Sequence, residues 1–148
     1  LDLGAGRGYI GRKFMDDPRF HIISYDHVAC DETIMQCDIS QLPDKESSID
    51  IAILCLAMWG SNCQEYVREA YRVLETGGYI YIAEPTKRWT NDTIEEDKNG
   101  KEERNENEKE ERKNIEPAGR LKELLKNTGF TIIKEKIDKF TLFVGIKM

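Results

Sequence analysis

Three glycines at two-residue spacing, Gly4, Gly6 and Gly8, stand between an apolar triplet and a helix-like run in "LDLGAGRGYIG". Leu1 to Leu3 predict the end of a buried strand, and the glycines predict a tight turn into the helix that follows. Without a Cβ, Gly4 and Gly6 can adopt positive φ and let a ligand lie against the backbone, while the helix start offers unpaired N–H groups and a positive dipole end. A dinucleotide fold spaces its glycines G-x-G-x-x-G to cradle a pyrophosphate. Here Tyr9 occupies the third glycine's place. Asp2 stands on the strand end, where its carboxylate would repel a pyrophosphate and pair with the ammonium of an amino-acid-like ligand. The combination favours S-adenosylmethionine over NAD.

The rest of the chain alternates strand and helix. Residues 8–16 predict a short helix with Ile10 and Phe14 one turn apart, stopped by Asp17-Pro18. "HIISYD" and "TIMQCD" predict strands that each finish on an acid, Asp26 and Asp38. "IDIAILCLA" is nearly continuous apolar sequence and predicts a parallel strand covered on both faces. Asn62 with Glu65 reads as an N-cap pair, Val67, Ala70, Tyr71 and Leu74 as a helix stripe, Gly77-Gly78 as its end, and "YIYIA" as the next strand. Residues 119–127 predict another helix, closed by Gly129. "FTIIKEKID" and "FTLFVGIKM" follow with too few residues between them for a helix, so they must pair antiparallel. A mostly parallel α/β sheet of seven strands that finishes in an antiparallel hairpin is the class I (Rossmann-like) methyltransferase plan. An all-parallel dinucleotide domain has no such hairpin.

A chain of 148 residues is expected to be one domain. No apolar run reaches membrane-spanning length and no signal peptide is visible, which predicts an intracellular, soluble protein without a membrane partner. Cys30, Cys37, Cys55 and Cys63 have no C-x-x-C spacing and predict reduced, partly buried thiols in or beside strands, with no metal site. Residues 92–114 hold ten acidic and six basic side chains, so −4 of the net charge of −6 sits there and −2 is left on the body. With Ile94 its one aliphatic residue, that stretch is expected to be a disordered insertion. The charge balance offers no basic patch and weighs only lightly against a nucleic-acid substrate.

"CDISQLPDKESSIDIAILCLAMWGSN" together with "EAYRVLETGGYIYIAEP" resembles the nucleomethylin family, also called ribosomal RNA-processing protein eight. The likeness runs over residues 1–85 and resumes in "LLKNTGFTIIKEKIDKFTLFVGIKM". Its R-V-L-x-x-G-G part is common to many methyltransferases, whereas C-D-I-x-x-L-P and C-L-x-x-x-G-S-N are narrower. The resemblance implies a nucleolar enzyme that transfers a methyl from S-adenosylmethionine to N1 of an adenine in large-subunit ribosomal RNA, releasing S-adenosylhomocysteine. It implies that Gly4 and Gly6 line the methionine part, Asp26 takes the ribose hydroxyls, Asp38 and Ile39 hold the adenine, and Cys55 gives backbone contact near the sulfonium. A carboxylate at a strand end is independently well placed to accept paired hydrogen bonds from a ribose. Asp38 as a turn-capping residue and Asp26 as a solvated loop charge are the competing readings. The chain departs from the family at Ala5, where cysteine is usual, and in the acidic insertion. Its start at Leu1 implies that the family's N-terminal segment and basic tail are missing.

The run after the fourth strand bears on the reaction. Methyltransferases of exocyclic amines carry [N/D]-P-P-[F/Y/W] there, and this chain has "LAMW". Cytosine C5 enzymes need a nucleophilic cysteine, commonly after proline, and no Pro-Cys pair exists. Met58 and Trp59 are the expected substrate residues, with Trp59 stacking on a base or, alternatively, covering the core. No catalytic acid or base is assigned. Three readings stand: an RNA adenine methyltransferase, a small-molecule methyltransferase on the same core, and a domain that binds cofactor or partner without catalysis.

Overall fold

The computed structural model describes residues 1–90 and 116–148, so the stretch 92–114 lies outside the described residues. In chain order the elements are β1 (Asp2–Leu3), α1 (Tyr9–Phe14), β2 (Ser24–Asp26), β3 (Ile34–Gln36), β4 (Ile49–Cys55) and α2 (Cys63–Val73). They continue with β5 (Leu74–Pro85), α3 (Thr86–Trp89), α4 (Gly119–Thr128), β6 (Phe130–Ile137) and β7 (Phe140–Lys147). The strands form one sheet in the order β3-β2-β1-β4-β5-β7-β6. β1 to β5 pair in parallel, and β7 runs antiparallel between β5 and β6. The turn at Asp138-Lys139 is too short to let β6 and β7 run any other way.

The core lies on one face of this sheet. Ala52, Leu54, Ile80, Ile82 and Phe143 point to that face, and Val67, Ala70 and Val73 of α2 with Leu121 and Leu125 of α4 close over them, all fully buried. The helices present these residues because their apolar positions recur at three- and four-residue intervals. The opposite face of β4, β5 and β7 corrects the expectation of a strand covered on both sides. Ile51 and Ile53 are half-buried, Tyr79 and Tyr81 are exposed, and no described helix packs over them.

Several boundaries also differ from the sequence expectation. β2 and β3 are three residues each, shorter than the apolar runs that predicted them. α2 ends at Val73, four residues before Gly77. Leu74 turns extended, its N–H closes on Ala70 O, and the Lys147 ammonium from β7 donates to the carbonyls of Tyr71 and Leu74 at 2.9 and 2.7 Å. Those contacts satisfy the helix's last acceptors without a glycine. Gly77 and Gly78 lie inside β5, where Gly77 has φ +87° and a Cβ on Gly78 would sit 2.9 Å from Glu75 O and 3.1 Å from Asp50 O. The pair thus fits the register shift between Ile49 and Ile51 on β4. Gly129 does end α4 as expected, with φ +111° and its N–H on Leu125 O and Lys126 O. No described helix is long and apolar enough to cross a membrane.

Candidate functional site

The strand order reverses between β1 and β4, which opens a crevice at the carboxyl edge of the parallel strands, the place where open α/β sheets bind ligands. Gly4, Gly6 and Gly8 take φ of +74°, +57° and +65° and form the floor of the crevice. Gly4 lies so close to the loop after β4 that an added Cβ would stand 2.6 Å from the Ala57 Cβ. The Gly6 N–H donates to Asp26 Oδ2 at 2.7 Å, and the Val28 N–H donates to Asp26 Oδ1 at 3.0 Å. Asp26 therefore ties the glycine turn to the end of β2, and each oxygen keeps one acceptor site open.

Asp2 is 3% exposed, and burial, with Asp26 nearby adding to it, raises its carboxyl pKa. A cationic group in the crevice would complement that carboxylate. Asp38 is exposed and caps its own turn: Ser40 donates to Oδ1 from its N–H at 2.9 Å and from its hydroxyl at 2.8 Å, and these bonds lower its pKa. Its Oδ2 stays open, so the turn-capping reading and a ligand role are compatible. Ile39 is buried in the core beside it.

The segment carrying these two residues is pinned from α2. The Leu42 N–H donates to Glu69 Oε1 at 2.8 Å, and Arg72 Nη2 donates to the carbonyls of Leu42 and Asp44 while bridging to Glu69. The Arg72 hydrogen bonds hold the Glu69 carboxyl below its ordinary range.

The loop after β4 separates two residues that the sequence reading grouped together. Met58, expected at the substrate, is fully buried among core side chains. Trp59 is 63% exposed, held by its Nε1 donating to Leu56 O at 2.5 Å, with the Arg88 guanidinium 4.7 Å from the ring centroid. Leu56 carries the turn with φ +54°, a left-handed conformation uncommon outside glycine. The side chain fastening this loop is one the sequence reading missed. Glu84, fully buried at the end of β5, accepts the Met58 N–H at 3.0 Å, while its Oε2 lacks a partner among the described residues. Burial pushes its carboxyl pKa up, partly offset by the hydrogen bonds it receives and by Arg88. The signal was available: like Asp26, Glu84 is an acid closing an apolar strand, in "YIYIAEP".

Cys55 stands at the end of β4 and is exposed, as is Cys30, which corrects the expected partial burial of both. Surrounding protein, then the Asp2 and Glu84 carboxylates, raise the pKa of the Cys55 thiol. That environment keeps it protonated and poorly suited to nucleophilic attack. Among the described residues no group of three or more His, Cys, Asp or Glu is placed to hold a metal.

A sheet of this order with a glycine turn, strand-end acids and a terminal antiparallel hairpin defines the class I methyltransferase fold. A structure described as a SAM-dependent methyltransferase from Methanosarcina mazei superposes with a TM-score of 0.72 at 15% identity, covering 100% of this chain and 91% of that one. Residues 1–101 match the family described as "Hypothetical methyltransferase", and the chain belongs to that family. It is 37% identical over 90 residues to the 25S rRNA (adenine(645)-N(1))-methyltransferase of Schizosaccharomyces pombe, covering 61% of this chain and 28% of that protein. It is 41% identical over 91 residues to Ribosomal RNA-processing protein 8 of Caenorhabditis elegans, covering 62% and 26%. The chain thus spans about a quarter of the length of these curated relatives.

Proposed function

We propose that this chain is the cofactor-binding part of an S-adenosylmethionine-dependent methyltransferase that acts on N1 of an adenine in large-subunit ribosomal RNA, and that it works in the nucleolus. The observation that carries the reading is the crevice at the β1–β4 switch point. It combines a glycine floor, a buried carboxylate at Asp2 and two strand-end carboxylates with open acceptor sites. Those groups fit a ligand with an ammonium at one end and a ribose and adenine at the other. Asp2 with Gly4 and Gly6 would hold the amino-acid part, Asp26 the ribose hydroxyls, the Asp38–Ile39 corner the adenine, and the Cys55 backbone would border the sulfonium. The relatives at 37–41% identity support the RNA substrate over a small metabolite.

When bound, S-adenosylmethionine supplies an electrophilic methyl on a sulfonium. Adenine N1 bears a free lone pair, so the protein's task is alignment and exclusion of water, with no base required. Trp59 offers an exposed ring on which a base can stack, and Glu84 positions it by holding the adjacent Met58 N–H. The positively charged product is favoured by the acids along this edge.

The test is mass spectrometry of nucleosides from large-subunit ribosomal RNA incubated with the complete protein and isotope-labelled cofactor. The expected product is labelled 1-methyladenosine. Label in a small metabolite and none in RNA would replace the reading with the small-molecule one. Cofactor binding without any transfer would replace it with the non-catalytic one.

A further inference from the structure

A second opening lies beyond Trp59, away from the glycine turn. It is a cleft of about 340 Å³ between the start of α2, α3 and α4, with Ser61, Gln64, Arg88 and Arg120 on its walls. We infer that this cleft binds a backbone phosphate of the RNA strand whose base stacks on Trp59; the inference rests on the RNA methyltransferase reading above.

Charge is the first argument. Arg88 and Arg120 come from different helices to one cleft, and among the described residues no acidic side chain lines it. Among the described residues neither guanidinium forms an ion pair, whereas Arg12, Arg19, Arg72 and Lys122 all do. Two guanidinium groups without an ion pair among the described residues, brought to one cleft, suit an anionic ligand. Geometry narrows its class. The Arg88 guanidinium lies 4.7 Å from the Trp59 ring centroid, and a guanidinium stacked on an aromatic face keeps its in-plane N–H donors free for an oxyanion. Guanidinium groups beside an exposed aromatic ring are the usual equipment for a single strand, with one element for phosphate and the other for base.

Two further features suit the assignment. α3 is fixed: the Thr86 hydroxyl lies 2.6 Å from Asp138 O and 2.7 Å from the Thr141 hydroxyl, and the Thr86 N–H donates to Lys139 O at 3.0 Å. Arg88 is therefore carried on an anchored turn, so less ordering is required on binding. α2 also begins at the cleft. Asn62 holds the N-cap position, yet its Oδ1 accepts the Tyr66 hydroxyl at 2.9 Å and does not cap the helix, so the first N–H groups of α2 receive no side-chain cap.

The experiment measures binding of the complete protein to a fluorescent, unmodified stem-loop of large-subunit ribosomal RNA over a salt series, with cofactor affinity measured in parallel by calorimetry. Arg120→Glu is the first variant, because Arg120 is exposed on α4 and its change leaves the core alone. Arg88→Ala and Arg120→Lys complete the set. Arg120→Glu is expected to weaken RNA binding about tenfold or more. The slope of log affinity against log salt should become shallower by about 0.7–0.9 for each arginine lost. Cofactor affinity should stay unchanged, and Arg120→Lys should retain most of the slope. RNA affinity and slope unchanged in Arg120→Glu and Arg88→Ala, with wild-type protein still methylating RNA, would overturn the phosphate site alone. Absence of RNA binding and methyl transfer in the wild type would overturn the parent reading and this inference with it.

Discussion

Gly4 and Glu84 act on the same loop from opposite sides. At Gly4 an alanine would have to keep φ near +74° and push its methyl into Ala57, 2.6 Å away. The left-handed conformation alone costs a non-glycine residue about 1–2 kcal/mol. Gly4→Ala is therefore expected to lower the melting temperature by roughly 2–8 °C, at about 2–4 °C per kcal/mol for a domain of this size, with the Ala57 contact adding to it. Scanning calorimetry checks this, and a shift under one degree would mean that the loop gives way freely. Glu84 makes a pH-dependent prediction. Burial raises its pKa above the ordinary 4.5, so the folded protein binds this proton more tightly than the unfolded chain does. The linked stability is complete below about pH 4.5 and is lost as pH rises through the folded value. Glutamine keeps an oxygen for the Met58 N–H and carries no charge. Glu84→Gln should thus be at least as stable as wild type at pH 7, with the difference shrinking toward pH 4 in urea unfolding curves. Parallel curves for the two proteins would show that Glu84 is not held in a charge-averse site.

At the scale of elements, legibility in the sequence followed how local each signal was. α4 was read nearly to the residue because its leucine spacing and Gly129 are local, and the hairpin was read because only two residues join its strands. The end of α2 was misjudged because its closure comes from Lys147 on β7, more than 70 residues away in the chain. The same distance hid the division between Met58 and Trp59: adjacent in sequence, they part because Glu84, 26 residues on, holds one backbone N–H. The Glu69–Arg72 pin is a third long-range tie, and it makes a prediction. Arg72→Ala removes two hydrogen bonds to loop carbonyls and the partner of Glu69, at a cost of about 1–3 kcal/mol. Because Asp38 and Ile39 begin that segment, the variant should also bind S-adenosylmethionine more weakly while Trp59 remains as accessible to quenchers as before. Calorimetry and iodide quenching test the two parts. A stability loss with full cofactor affinity would separate the pin from the ligand.

Across the whole molecule the sheet is lopsided. One face carries the core and both longer helices, while the other presents Ile51, Ile53, Tyr79, Tyr81 and Ile146 in facing register on β4, β5 and β7, with the buried Val144 opposite Tyr81. The near-continuous apolar run of β4 was correctly legible as strand, but its period could not tell how much cover the second face receives among the described residues. Tyr79 and Tyr81 are 38% and 37% exposed, enough for an apolar dye to find their rings. The 148-residue chain is accordingly expected to enhance 8-anilinonaphthalene-1-sulfonate fluorescence while its near-ultraviolet circular dichroism stays that of a folded protein. Replacing both tyrosines by threonine keeps a residue type that favours strands, so the stability cost should stay near 1 kcal/mol per position. The double variant should lose a large part of the dye signal and melt only a few degrees lower. If the signal persists undiminished, the dye is reporting a loosened core, a state that would also flatten the near-ultraviolet spectrum of the parent chain. If the variant unfolds outright, these tyrosines are packing residues and the face is closed in solution.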